Sequence, residues 1–87
     1  MSVKILLVDH HKIMREGLCS LIDSHPELEV VGQAGLGREA VELATQLKPD
    51  IVITEISLPE MDGVEITRVI LEENPGIKIT NYKQPNF

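Results

Sequence analysis

Two short stretches of this chain carry groups that could do chemistry. Asp9, His10 and His11 follow the apolar run Val3-Lys4-Ile5-Leu6-Leu7-Val8, and Glu55 follows a second run, Ile51-Val52-Ile53-Thr54. Carboxylates beside an imidazole suit a divalent ion of the softer kind, such as Zn²⁺ or Ni²⁺. On that reading Asp9, His10 and Glu55 form the ligand set, and the bland alternative is a hydrated acidic pocket. Asp9 and Glu55 would also make an acid/base pair, but no nucleophile or oxyanion donor set accompanies them. His11 reads as a capping or solvent-facing group at a helix start, and His25, before Pro26, as an exposed turn residue.

A third stretch, Gly35-Leu36-Gly37-Arg38-Glu39-Ala40, fits the dinucleotide-binding fingerprint in its alanine-ended form, with Glu55 18 residues beyond Gly37. The alternative is an ordinary glycine turn, and there is no room for a substrate domain.

These residues matter together only if the fold brings them together. Val3 to Val8, Leu28 to Ala34, Ile51 to Thr54 and Ile77 to Thr80 read as strands rich in branched residues. Between them lie three helical patterns. His11 to Ser24 carries Ile13, Met14, Gly17, Leu18, Leu21 and Ile22 on one expected stripe. Arg38 to Leu47 turns Ala40, Val41, Ala44 and Leu47 inward, and a third helix carries Val64, Ile66, Val69 and Ile70. Asp62 is its expected cap, with Glu65 completing a capping box. His25-Pro26, Lys48-Pro49-Asp50 and Asn74-Pro75-Gly76 are the breaks. The β-α-β-α-β-α-β order implies parallel strands with right-handed crossovers. In such sheets ligands gather at the carboxyl ends of the strands, which is where Asp9, His10 and Glu55 fall.

Composition narrows the function classes. The 87 residues make one small domain, and 10 Ile, 10 Leu and 8 Val supply its core. A net charge of −6 with scattered basic residues argues against direct nucleic-acid binding. The one cysteine, Cys19, excludes an internal disulfide and reads as a buried, inert thiol. No apolar run approaches the ~18 residues of a membrane span, and a cytoplasmic location is the expectation.

The chain resembles a response-regulator receiver domain, of the LuxR/FixJ type that precedes a helix-turn-helix DNA-binding domain. The resemblance rests on Ile5-Leu6-Leu7-Val8-Asp9, Arg15-Glu16-Gly17-Leu18, Lys48-Pro49-Asp50-Ile51-Val52-Ile53 and, above all, Ser57-Leu58-Pro59-Glu60-Met61-Asp62-Gly63. It implies a flavodoxin-like (CheY-like) α/β three-layer sandwich, here truncated to a four-stranded parallel sheet with three helices. It also implies a place in two-component phosphorelay signalling, with a histidine kinase or regulator as partner. In the family, an aspartate ending the third strand accepts a phosphoryl group, two acids after the first strand hold Mg²⁺, and a loop carbonyl completes the metal site.

Carried over by position, Asp9 is the first acid, His10 replaces the second, Glu55 replaces the phosphoacceptor and Ser57 keeps the carbonyl. If a metal binds in the family's way, its ligands are Asp9, Glu55 and the Ser57 carbonyl. Imidazole at position 10 removes a charge and an oxygen ligand, so Mg²⁺ is expected to bind weakly or not at all. The longer arm of Glu55 displaces the reacting atom, and ~1 Å of displacement can lower a rate ~10²-fold. Glutamate there would alternatively mimic an activated state by placing negative charge further out. Lys83 falls where the family has a hydroxyl residue.

The expectation is therefore a receiver-like, non-enzymatic module with a degenerate phosphoacceptor, acting by protein–protein contact. The alternatives are an N-terminal remnant of a longer DNA-binding regulator, or a weak metal- or nucleotide-binding domain. The expected bounds are a receiver-like domain over 1–80 and a polar tail over 81–87. An open edge on the fourth strand, and thin cover around Leu18, Leu21 and Ile22, predict a homodimer.

Overall fold

The computed structural model describes residues 2–58 and 60–83. The expected loop residue Pro59 and the tail positions 84–87 lie outside the described residues. Four strands alternate with three helices: β1 (Val3–Val8), α1 (Lys12–Asp23), β2 (Leu28–Ala34), α2 (Gly37–Leu47), β3 (Ile51–Glu55), α3 (Gly63–Glu73) and β4 (Lys78–Tyr82). The strands form one parallel sheet in the order β2-β1-β3-β4.

Side chains alternate across the sheet, so β1 feeds both faces. Leu6 and Val8 join Ala40 and Ala44 of α2, Ile66 and Ile70 of α3, and Val52 of β3 in the larger cluster. Ile5 and Leu7 join Ile22 of α1 in a smaller one. Helix α2 approaches closely because small residues line the contact. A Cβ on Gly32 would stand 2.7 Å from Leu47 Cδ1, so a larger residue there would make the Leu47 side chain shift. The helix then ends with Lys48 in the left-handed region, φ 48°.

The expected stripe on α1 was too wide. Ile22 is buried, with Leu18 and Cys19 packed beside it, but Ile13 is 84% exposed and Leu21 67% exposed. At ~100° per residue, Ile13 lies half a turn from Ile22 and Leu21 about 100° from it, so both leave the sheet. Val64 of α3 is 71% exposed for the same reason, since it points away from the Ile66 and Ile70 side.

The α3 capping box is half formed. Asp62 Oδ1 accepts the Glu65 N–H at 2.8 Å, but the Glu65 carboxylate turns to Arg68 at 2.7 Å. That arginine also reaches Glu72, one turn on.

The end of the sheet also differs from expectation. β4 starts at Lys78 and runs through Tyr82, pairing Asn81 with Thr54 and Tyr82 with Glu55. The Ile56 N–H donates to the Tyr82 carbonyl at 2.8 Å and extends the ladder. The boundary at residue 80 therefore falls inside a strand, and Asn81 and Tyr82 belong to the domain rather than to a tail. No helix among the described residues is long and apolar enough to cross a membrane.

Candidate functional site

The pocket forms where β1 and β3 end side by side. Val8 pairs with Thr54, which makes Asp9 and Glu55 neighbours. Asp9 stays in line with the sheet because its N–H donates to the Ala34 carbonyl at 3.0 Å. Both carboxylates are fully buried. Buried charges persist only when partners replace the lost water, and the chain supplies such partners from two directions, with a third contact on the backbone beside them.

The first is the start of α1. Asp9 Oδ1 accepts the His11 N–H at 2.8 Å, a local turn that fixes the carboxylate and delivers the chain into the helix. His11 Nδ1 lies 3.3 Å from Asp9 Oδ1 and 3.9 Å from Glu55 Oε2. His10 turns its Nδ1 onto Glu55 Oε1, and its own N–H lies 3.5 Å from the same oxygen. The two rings lean together, with centroids 3.8 Å apart.

The second is β4, whose Tyr82 hydroxyl donates to Asp9 Oδ2. Burial first, then this hydrogen bond and the charges of Asp9 and Glu55, push the phenol well above its ordinary range, so it stays a proton donor.

The backbone contact is Arg15, whose Nη1 donates to the Asp9 main-chain carbonyl at 2.7 Å. Its buried Nε has no hydrogen-bond partner among the described residues. Gly35 makes room for the guanidinium, since a Cβ there would stand 3.1 Å from Nη1.

The loop after Glu55 is pinned to α3. The Gly63 N–H donates to the Ile56 carbonyl at 2.5 Å, and a Cβ on Gly63 would stand 2.9 Å from the Glu55 carbonyl oxygen. Ser57 lies exposed in that loop.

Asp9, His10 and Glu55 thus meet as the sequence implied. His11 joins them while standing, as expected, at the exposed N-cap of α1, although its side chain makes no cap hydrogen bond. Tyr82 was missed because the segment from Asn81 onward read as a tail. Its aromatic β-former character next to a strand was the available signal. Lys83, at the expected hydroxyl position, is exposed. The hydroxyl in the pocket comes from the residue before it.

The glycine fingerprint loses its phosphate-binding sense. Glu39 accepts the N–H groups of Gly35 and Leu36 at 3.2 Å each, and Glu60 accepts that of Gly37. The amides that would cradle a pyrophosphate already hold carboxylates of this chain. Glu55, the would-be ribose ligand, is fully buried against His10.

One ligand atom each from Asp9, His10, His11 and Glu55 lies within 4.8 Å of the others. Two imidazoles and two carboxylates do not fit the all-oxygen shell that Mg²⁺ demands.

The sequence pattern of the response regulator receiver domain matches residues 5–84. The chain is 36% identical over 89 residues to the response regulator protein VraR of Staphylococcus saprophyticus, an alignment covering 99% of this chain and 43% of that protein. VraR of Staphylococcus aureus is 39% identical over 79 residues, covering 91% of this chain and 38% of the relative. The chain therefore spans less than half the length of these curated relatives.

Among solved structures, a LuxR-family two-component response regulator from Aurantimonas superposes with a TM-score of 0.92 at 35% identity, over 99% of this chain and 61% of that one. The response regulator domain of Thermotoga maritima CheB gives 0.89 at 35% identity, over 95% and 61%.

Proposed function

This chain belongs to the response regulator receiver family of two-component signalling, and we propose that its pocket takes up no phosphoryl group and that the module works through contact with other proteins. Receiver domains are as a class signalling modules rather than enzymes, and we extend that to this chain.

One observation carries the proposal: the His10 imidazole closes on Glu55, the side chain at the phosphoacceptor position. An incoming phosphoryl donor would meet an engaged oxygen on a longer arm, with imidazole where the family places a metal-binding acid. Asp9, the remaining acid, already receives the Tyr82 hydroxyl and the His11 N–H. Imidazole in place of the second acid deprives magnesium of an oxygen ligand it favours. Nor does Glu55 place charge outward as a mimic of the activated state would, because it is fully buried.

The proposed partners follow from the surface. Among the described residues β4 pairs with β3 alone and leaves its outer edge to present backbone donors and acceptors, and Leu21 and Ile13 stand exposed on α1. A second copy of this chain meeting that edge is the proposed assembly, with a histidine kinase or regulator of the same signalling class as the further partner. Net charge of −6 disfavours direct nucleic-acid contact by these residues. DNA binding is proposed only for a longer regulator of which such a domain forms part.

Incubation with acetyl phosphate and Mg²⁺, followed by intact mass spectrometry, tests the central claim. The mass stays unchanged if the pocket is inert, and a phosphoryl adduct on Glu55 overturns it. Sedimentation equilibrium at micromolar concentration tests the assembly: a dimer is expected, and a monomer throughout removes the proposed edge pairing.

A further inference from the structure

The residues that spoil the pocket for magnesium make a different kind of site. We propose that Asp9, His10, His11 and Glu55 bind one divalent transition ion of the Zn²⁺ class, in a tetrahedral arrangement of two imidazole nitrogens and two carboxylate oxygens.

The donor spacing carries the argument. Two ligand atoms each ~2.0–2.1 Å from a tetrahedral ion lie about 3.3 Å from one another. His11 Nδ1 and Asp9 Oδ1 stand 3.3 Å apart, and His11 Nδ1 and Glu55 Oε2 stand 3.9 Å apart. All four donors fall within 4.8 Å of each other, and His10 Nδ1 already rests on Glu55 Oε1, so the His10 ring must swing off that oxygen for the set to share one centre.

Mobility is available where it is needed. The carboxylates are fully buried on strand ends, whereas the His10 and His11 side chains are 34% and 52% exposed. A rigid pair of oxygens thus faces an adjustable pair of nitrogens, and the exposed rings mark the entry path.

The supporting contacts are those of a ligand shell. Tyr82 holds Asp9 Oδ2, which leaves Oδ1 facing the histidines, and Arg15 holds the backbone of Asp9. Such outer contacts orient ligands and typically change metal affinity by ~10–100-fold. The inference shares its residues with the reading of an inert phosphoacceptor but is tested separately: a phosphoryl adduct would overturn that reading and leave the metal titration to be judged alone.

Zn²⁺ titrated into the full chain by calorimetry is expected to show one ion per chain at micromolar or tighter affinity, with Mg²⁺ showing no saturation at millimolar concentration. His11→Ala removes the most exposed ligand and is expected to weaken Zn²⁺ binding at least ~10-fold. His25→Ala, an exposed histidine paired with Glu27 at 3.6 Å far along the chain from the pocket, is expected to leave affinity unchanged. Circular dichroism of each metal-free variant checks that it is folded. Failure of Zn²⁺ to saturate at one ion per chain, or a His11→Ala variant that binds as tightly as the parent, overturns the proposal.

Discussion

The two faces of the sheet are built to different standards. Over one, α2 and α3 bring Ala40, Ala44, Ile66 and Ile70 onto Leu6, Val8 and Val52, and all seven are fully buried. Over the other, α1 is the one helix among the described residues that covers Ile5 and Leu7, and Val3, Leu28, Val30, Ile51 and Ile53 remain partly open around Ile22. Both faces draw branched aliphatic side chains from β1 and β3. The difference lies in how many helices each receives. Among the described residues, one face therefore supplies most of the fully buried core, while the other keeps apolar surface partly open.

The sharpest way to break that contrast is to hollow out each face in turn. Ile66→Ala empties a site with no exposure and is expected to destabilise by about 2–5 kcal/mol, enough to unfold much of a domain this small. Leu18→Ala, on the thin face, leaves a site that water already reaches in part, and about 1 kcal/mol is expected. Urea unfolding followed by circular dichroism compares the two. Equal losses would mean that the faces contribute alike.

A smaller effect separates the strand ends from both faces. The native Tyr82 phenol keeps its proton while an unfolded tyrosine loses it near its ordinary pKa of about 10. The native state then binds more protons than the unfolded state, so stability present below about pH 10 declines as pH rises further. Tyr82→Phe should flatten that alkaline decline relative to the parent, and identical slopes would remove the hydroxyl from the account. The smallest effect belongs to Leu21→Gln, with stability within about 0.5 kcal/mol of the parent and a measurably weaker dimer by sedimentation.

Much of this organisation is legible in the sequence. The alternation of branched runs and helical stripes yields every element, and strand-end logic brings Asp9, His10 and Glu55 into one pocket. What was not legible has physical causes. Ile13 and Leu21 look like core because apolar residues were assigned to the sheet side without following the helix through its full rotation. Tyr82 follows Thr80 and Asn81, polar residues that read as a strand's end. On an edge strand, polar side chains facing solvent are ordinary, and the ladder continues through the backbone. His11 reads as an exposed helix start, which it is, but the approach of its ring to Asp9 and Glu55 depends on β3 and is revealed by no local pattern.

The strand order also has a consequence in time. β1 sits inside the sheet, yet Val3 pairs with Leu28 and Ile5 with Ile51, so both of its neighbours are synthesised after it. At about 5–20 residues per second, β1 waits several seconds on the ribosome before β3 exists to receive it. Until β2 follows, its Ile5-Leu6-Leu7-Val8 stretch is an unpaired apolar strand, and until β3 follows it has a partner on one edge only. Parallel sheets whose contacts all span long sequence separations fold slowly. Glu55 is the last residue of β3, so the pocket closes in the same event that closes the inner sheet. Nascent-chain arrest before residue 51 should therefore yield species that recruit chaperones, and arrest beyond residue 82 should not.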